Sequence, residues 1–250
     1  MSEHWPGAWI KPDWPAPAAV HACMTTRQGG VSASPFDSFN TATHVDDAPA
    51  AVAENRRRLH AVLPSEPLWL NQVHGAGVAG FAHAGSIPDA DASVAFAPGQ
   101  VCVVQTADCL PVLLCDDAGT RVAAAHAGWR GLAGGVLEAT VQAMEIAPER
   151  LLAWLGAAIG PEKFEVGPEV VEAFVGAHPH AMNAFKSSPY TPGRYLADIY
   201  ALARIRLAAV GVSRVHGGGL CTMGDAERFY SFRREARTGR MASLIWLQSP

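Results

Sequence analysis

Three short apolar runs set the strongest limit on how this chain can fold. VCVVQT (101–106), PVLLC (111–115) and RVAAAH (121–126) follow one another closely, each bounded by turn residues. Runs this short and this apolar read as strands rather than helices. Asp116, Asp117, Ala118 and Gly119 supply a tight connection between the last two, which predicts a hairpin. Helical spacing lies elsewhere. Ala133, Val136, Leu137, Thr140, Val141 and Met144 fall on one face after a glycine-rich approach. Leu196, Ile199, Tyr200, Ala203, Leu207 and Val210 do the same, and Gly211 is a natural stop. A third helix is predicted to start near Asp47 and to turn Val52, Leu59 and Val62 inward. Strands and helices mix without clean alternation, which favours α+β over a doubly wound parallel sheet. Neither a linker, a low-complexity tract nor a repeat interrupts the chain, so one domain over residues 1–250 is expected.

Composition narrows the function. Hydrophobic residues make up 49% of the 250 residues and charged ones 17%, enough apolar material for a sizeable core. The formal net charge of -4 argues against a general nucleic-acid binder. Apolar runs such as CLPVLLC are far shorter than a membrane span, and the first residues lack the pattern of a secretory signal. The five cysteines are odd in number and widely spaced, unlike a disulfide framework. A cytoplasmic protein acting on neither nucleic acid nor membrane is the expectation.

Three segments can carry chemistry. NQVHG places His74 after an apolar run. TADCLPVLLC places Asp108 and Cys109 in the connection between two predicted strands. AAAHAGWRGL places His126 at a strand end that opens into Gly128, Gly131, Gly134 and Gly135. Cys102 and Cys115 lie within predicted strands and read as small buried hydrophobes. Cys109 differs, because it sits at a strand boundary beside a carboxylate. One thiolate and two imidazoles suit zinc, and three protein ligands leave a fourth position open, where bound water ionises near pH ~7. The chain has no CxxC and no HxxxH, so such a site must be assembled by the fold. The same residues support another chemistry, with Cys109 a nucleophile and His126 its base.

At these residues the chain resembles the YfiH/FAMIN family. The resemblance is carried by TTRQGGVSASPFDSFN, NQVHG, ADCLPVLL, HAGWRGL, FEVG, CTM and FYSFRREARTGRMA, and it runs from about Thr25 to Leu247. That family is labelled a polyphenol oxidase or laccase domain and is described as zinc-dependent purine nucleoside phosphorylases with adenosine deaminase activity. The resemblance implies a mixed-sheet α/β/β/α sandwich and metal ligands at His74, Cys109 and His126. It also implies adenosine, inosine, guanosine and 5′-methylthioadenosine as substrates, with phosphate. Where the family commonly reads LGPAIGP and CTY, this chain has LGAAIGP (155–161) and CTM (221–223).

The roles expected on this basis are specific. Zinc is the cofactor, with copper the option for a laccase-type reading. Arg27, just before Gly29 and Gly30 in TTRQGG, and Arg130 are the candidate phosphate-binding residues, since guanidinium forks match phosphate. Asp108 is a candidate to shuttle protons beside Cys109 or to orient a histidine. The cluster Arg228, Arg233, Arg234, Arg237 and Arg240 reads as solvated surface. The competing functions are a metal-free cysteine hydrolase or amidase that edits peptidoglycan precursors and, weakest, a copper-dependent polyphenol oxidase, since repeated HxH motifs are missing. A monomer or weak dimer is expected.

Overall fold

The computed structural model describes residues 8–81 and 87–248. In chain order the elements are β1 (Val20–Met24), α1 (Pro49–His60), β2 (Val78–Ala79), β3 (Ala92–Ala95), β4 (Val101–Thr106), β5 (Leu110–Asp116) and β6 (Val122–Ala127). They continue with α2 (Trp129–Ala133), α3 (Val136–Ala143), β7 (Leu151–Leu155), β8 (Glu165–Val166), α4 (Pro168–Val175), β9 (Phe185–Ser187), β10 (Tyr195–Ala197), α5 (Ile199–Ala209), β11 (Arg214–Gly217) and β12 (Met241–Leu247).

Residue parity along the strands builds the layers. Leu110, Val112 and Leu114 of β5 face one way, with Ala123, Ala125 and Ala127 of β6 beside them; α3, α4 and α5 cover that face with Leu137, Val141, Phe174, Leu202 and Leu207. Leu113, Cys115 and Val122 face the other way and meet Cys102, Val104, Met241 and Ile245 from a second sheet. That second sheet turns Val101, Val103, Leu244 and Trp246 outward onto Leu59 of α1. The result is the expected mixed-sheet α/β/β/α sandwich. Every strand in the middle is buried on both sides, so its sequence reads as a continuous apolar run rather than an alternation.

The larger sheet has the order β11-β7-β5-β6-β3-β2, and the smaller ones β1-β12-β4 and β8-β10-β9. β5 and β6 pair antiparallel with Val112 opposite Ala125, which is the hairpin expected from the turn at 116–119. β4 belongs to the other sheet. The chain therefore changes sheets between Thr106 and Leu110, and Asp108 takes a left-handed backbone (φ 88°) at that corner. Among the described residues, no helix is long and apolar enough to cross a membrane.

The helical expectations hold with three corrections. The face from Ala133 to Met144 belongs to two helices, because Gly135 at φ 95° breaks the ladder between α2 and α3. Leu196 pairs with Lys186 and Glu165 in β10, and the helix begins after Asp198, whose carboxylate accepts the Ala201 amide. Gly211 does end it, at φ 91°. Asp47 does not cap α1. Its carboxylate instead accepts Ser32 Oγ and Asn40 Nδ2, and the helix starts at Pro49, a favoured first position. Val62 follows the helix and packs against the outer cluster.

The departure at 157 is mild. The Ala157 amide donates only to the Met24 sulfur (3.3 Å), a weak acceptor, so little is gained over a proline without that N–H.

Cys102 and Cys115 lie fully buried between the sheets, where burial pushes both thiols up to about 12. Each therefore packs as an inert hydrophobe. Cys102→Ala and Cys115→Ala are expected to cost roughly 1–2 kcal/mol of stability each while leaving metal content intact. Chemical denaturation beside elemental analysis checks this, and metal loss in either folded variant contradicts it.

Candidate metal centre

Three chain segments meet at one end of the inter-sheet layer. Cys109 comes from the corner where the chain changes sheets, His126 from the end of β6, and His74 from the loop before β2. Their ligating atoms all lie within 4.8 Å of one another, with Cys109 Sγ 4.0 Å from His74 Nε2. The two imidazole centroids are 4.8 Å apart and nearly perpendicular. His126 is buried, Cys109 half-buried and His74 exposed, so the trio has a closed side and an open one.

One carboxylate organises two of these segments. Asp91 is fully buried just before β3. Its Oδ2 accepts the Gly75 and Val73 amides (2.6 and 3.2 Å), and its Oδ1 accepts the His74 amide (2.9 Å). That grip holds His74 at φ 60°, a left-handed conformation uncommon for residues other than glycine. Asp91 Oδ1 also lies 2.8 Å from His126 Nδ1. A proton on Nδ1 donated to that carboxylate leaves the Nε2 lone pair facing the trio, the arrangement typical of metal-bound histidine. Burial works against ionising Asp91, yet hydrogen bonds from His126, Gly75 and His74 keep its pKa below the ordinary value.

The trio is electrostatically coupled. Burial raises the Cys109 thiol, but the charge and hydrogen bond of His126, followed by those of His74, overcome it and bring the pKa down. Burial lowers His126, and the Cys109 charge and the Asp91 hydrogen bond reverse that. A thiolate is thus available at neutral pH, as a metal ligand or a nucleophile must be.

The residues fit a metal. Zinc with Zn–S about 2.3 Å and Zn–N about 2.0 Å keeps tetrahedral donors roughly 3.5 Å apart, and the atoms here, within 4.8 Å of one another, would have to close in to hold it. The space they enclose is kept open by Gly128: a Cβ there would stand 2.9 Å from Cys109 Sγ, 3.1 Å from His74 Cδ2 and 3.5 Å from His126 Nε2. Two histidines within 4.8 Å of the sulfur are more than a cysteine–histidine dyad needs and suit coordination better. Among the described residues this is the one group of His, Cys and carboxylates spaced to hold an ion.

The open side faces a cleft of about 440 Å³, the size of a small-molecule site. Trp129, Phe164, Ile199 and Phe232 give it apolar surface, and Gln72, Thr106 and His44 give it polar atoms. Asp108 and Arg130 line it as well, but Arg27 does not. The Arg27 guanidinium is occupied by the Asp37 carboxylate and carbonyl (3.1 and 2.8 Å) and the Ala226 carbonyl (3.0 Å), and it lies over the Tyr230 ring. It ties two loops together. The Asp108 carboxylate accepts Thr222 Oγ1, Ser231 Oγ and the Arg233 amide (2.6, 3.0 and 2.7 Å), so the group that orients a histidine is Asp91. The expectation that Arg240 is solvated surface is corrected: the closing segment folds back and brings it, half-buried, into the cleft, which Arg233 also borders while staying exposed as expected. Sequence reasoning passed over Asp91, because Asp89 two residues earlier is equally polar and nothing local separates them.

Fold and site together define a four-layer α/β protein with a two-histidine, one-cysteine centre open to a cleft. A family model described as multi-copper polyphenol oxidoreductase laccase matches residues 21–248. A purine nucleoside phosphorylase of Pseudomonas aeruginosa is 62% identical over 241 residues, covering 96% of this chain and 99% of its own. The purine nucleoside phosphorylase YfiH of Escherichia coli is 56% identical over 243 residues, covering 95% and 98%. A crystal structure of a Neisseria meningitidis protein superposes with TM-score 0.93 at 50% identity, covering 97% of this chain and all 100% of the other. YlmD from Geobacillus stearothermophilus follows at TM-score 0.88 and 30% identity, covering 96% of each. The chain belongs to this family of YfiH proteins.

Proposed function

We propose that this chain is a zinc-dependent purine nucleoside phosphorylase with adenosine deaminase as a second activity, acting in the cytosol on adenosine, inosine, guanosine and 5′-methylthioadenosine. The observation that carries the reading is the His74–Cys109–His126 trio opening into a cleft of nucleoside size, in a chain whose relatives bear the phosphorylase name. Phosphorolysis forms a bond between a phosphate oxygen and ribose C1′ and breaks the bond from C1′ to the purine nitrogen, and the departing base takes a proton. Bound at the trio, zinc would supply Lewis acidity and would lower the pKa of coordinated water.

The chain's own residues do the rest. Trp129, Phe164 and Phe232 offer flat surface to a purine, and the cleft walls limit water around the sugar. Asp91 orients His126 and the His74 loop. Asp108, set beside Cys109 at the corner, draws Thr222, Ser231 and Arg233 around the site, and a proton relay through that hydroxyl pair is its assigned part in catalysis. Arg130 is assigned to the anion.

A cysteine hydrolase acting on peptidoglycan precursors is the second reading, favoured by the depressed Cys109 pKa beside His126. The two separate by experiment. Wild-type protein is expected to hold about one zinc per chain. It is expected to convert adenosine to adenine and ribose 1-phosphate when phosphate is supplied, to lose this on chelation and to regain it with zinc. Chromatography of products checks this. Full nucleoside-independent amidase activity in chelated protein, with no nucleoside turnover by the zinc form, rejects it.

A further inference from the structure

We propose that Arg240, supported by Arg233 and Arg130, forms the subsite for the inorganic phosphate dianion, with the Thr106 hydroxyl as an added donor. The assignment rests on the phosphorylase reading and places its second substrate.

Charge pairing and placement single these residues out. Many arginines elsewhere sit on carboxylates: Arg27 on Asp37, Arg57 and Arg58 on Glu54, Arg150 and Arg214 on Asp117, Arg228 on Asp225. Arg56, Arg194, Arg204 and Arg237 pair with no carboxylate among the described residues either, but none of them lines the cleft, so it is lack of a partner together with placement in the cleft that marks the three. Among the described residues, no carboxylate stands within ion-pair distance of Arg130, Arg233 or Arg240, and all three line the cleft beside the trio. They are nonetheless held. Arg240 Nη1 donates to the Thr238 and Gly239 carbonyls (2.9 and 3.0 Å), and its guanidinium lies 6.0 Å from the Phe232 ring centre. Arg233 Nη1 donates to the Glu165 carbonyl (2.8 Å), and its guanidinium lies over Phe164. Arg130 lies over Trp129. Neutral carbonyls and rings fix the forks, and no carboxylate is locked onto them as an ion pair.

The cleft offers Arg240 only partial compensation, from the Cys109 thiolate and the Asp108 carboxylate acting at a distance. Asp108 is its single carboxylate, and both of its oxygens already accept hydrogen bonds. Arg240 is half-buried, and a cation withdrawn from water calls for an anion. Thr106 borders the same cleft, and its Oγ1 is buried there with no hydrogen-bond partner in the protein. An unpaired hydroxyl and planar guanidinium forks match the oxygens of phosphate.

The test varies phosphate and nucleoside separately in wild type, Arg240→Gln and Arg233→Gln, with zinc content confirmed equal. Loss of a charge-assisted hydrogen bond predicts a rise of about 10-fold or more in the KM for phosphate for Arg240→Gln, with the KM for adenosine within about 2-fold of wild type. Arg240→Lys should recover part of the loss. A zinc-replete Arg240→Gln with unchanged KM for phosphate overturns the assignment. Should Arg240→Gln fail to fold, the exposed Arg233→Gln decides by the same split. Running AMP beside adenosine without added phosphate separates a nucleotide's phosphate from the free ion; tight AMP binding that Arg240→Gln abolishes, with KM for phosphate unmoved, also overturns it. If wild type proves not to be a phosphorylase, calorimetric titration with inorganic phosphate judges the subsite alone: binding lost in Arg240→Gln sustains it, and no binding by wild type rejects it.

Discussion

Asp91→Asn is expected to lose zinc and activity together, although Asp91 touches neither metal nor substrate. The carboxylate accepts the amides of Val73, His74 and Gly75 and the Nδ1 proton of His126. An asparagine offers one accepting oxygen and turns an N–H₂ group toward donors. At least one donor is then orphaned in a fully buried site, at about 1–3 kcal/mol per group. The left-handed backbone at His74 loses the grip that offsets its strain. His126 loses the acceptor that fixes its tautomer. Zinc affinity is expected to fall roughly 10- to 100-fold, the usual cost of removing such a partner. Competition with a chromophoric chelator measures it. Thermal unfolding of the metal-free form shows whether the variant still folds. A folded Asp91→Asn with wild-type zinc affinity would show that the histidines hold their places unaided.

The central strands could be read from sequence because burial on both faces removes polar residues from them, as VCVVQT and PVLLC display. Their assignment to different sheets could not. The change of sheet depends on Asp108 at φ 88° and on Thr222, Ser231 and the Arg233 amide reaching its carboxylate from far along the chain. The three ligand positions were visible as donor types at strand ends, with the family resemblance to choose among them. The residues that serve them were not. Asp91 and Asp89 look alike in sequence, yet one is buried under two histidines while the other accepts a hydrogen bond from Asn71 at the surface. Arg27 carried the stronger local signal, two adjacent glycines, whereas Arg240 reaches the cleft only because β12 carries the closing segment back beside β4. Long-range placement decides both cases, and neither composition nor spacing encodes it locally.

Gly128→Ala is expected to empty the metal centre while leaving the fold nearly untouched. The backbone at Gly128 has φ -59° and ψ 154°, an ordinary extended conformation that alanine adopts freely. Strain is therefore absent, and the effect isolates the space occupied by one methyl group. That methyl would stand 2.9 Å from Cys109 Sγ, 3.1 Å from His74 Cδ2 and 3.5 Å from His126 Nε2, in the volume the three donors enclose. Two of the three cannot retreat easily: Cys109 is held by the Asp108 corner, and His126 by Asp91. The methyl and an ion cannot share the space, so zinc affinity should fall at least about 100-fold, equivalent to roughly 2.7 kcal/mol. Phosphorolysis and deamination should vanish together, while stability of the metal-free protein should stay within about 1 kcal/mol of wild type. Gly80→Ala supplies the comparison, since a Cβ there meets nothing within 4 Å. It should retain zinc and both activities. Elemental analysis, activity and chemical denaturation on the two variants make the test. Stoichiometric zinc with full turnover in Gly128→Ala would place the ion outside the space between His74, Cys109 and His126.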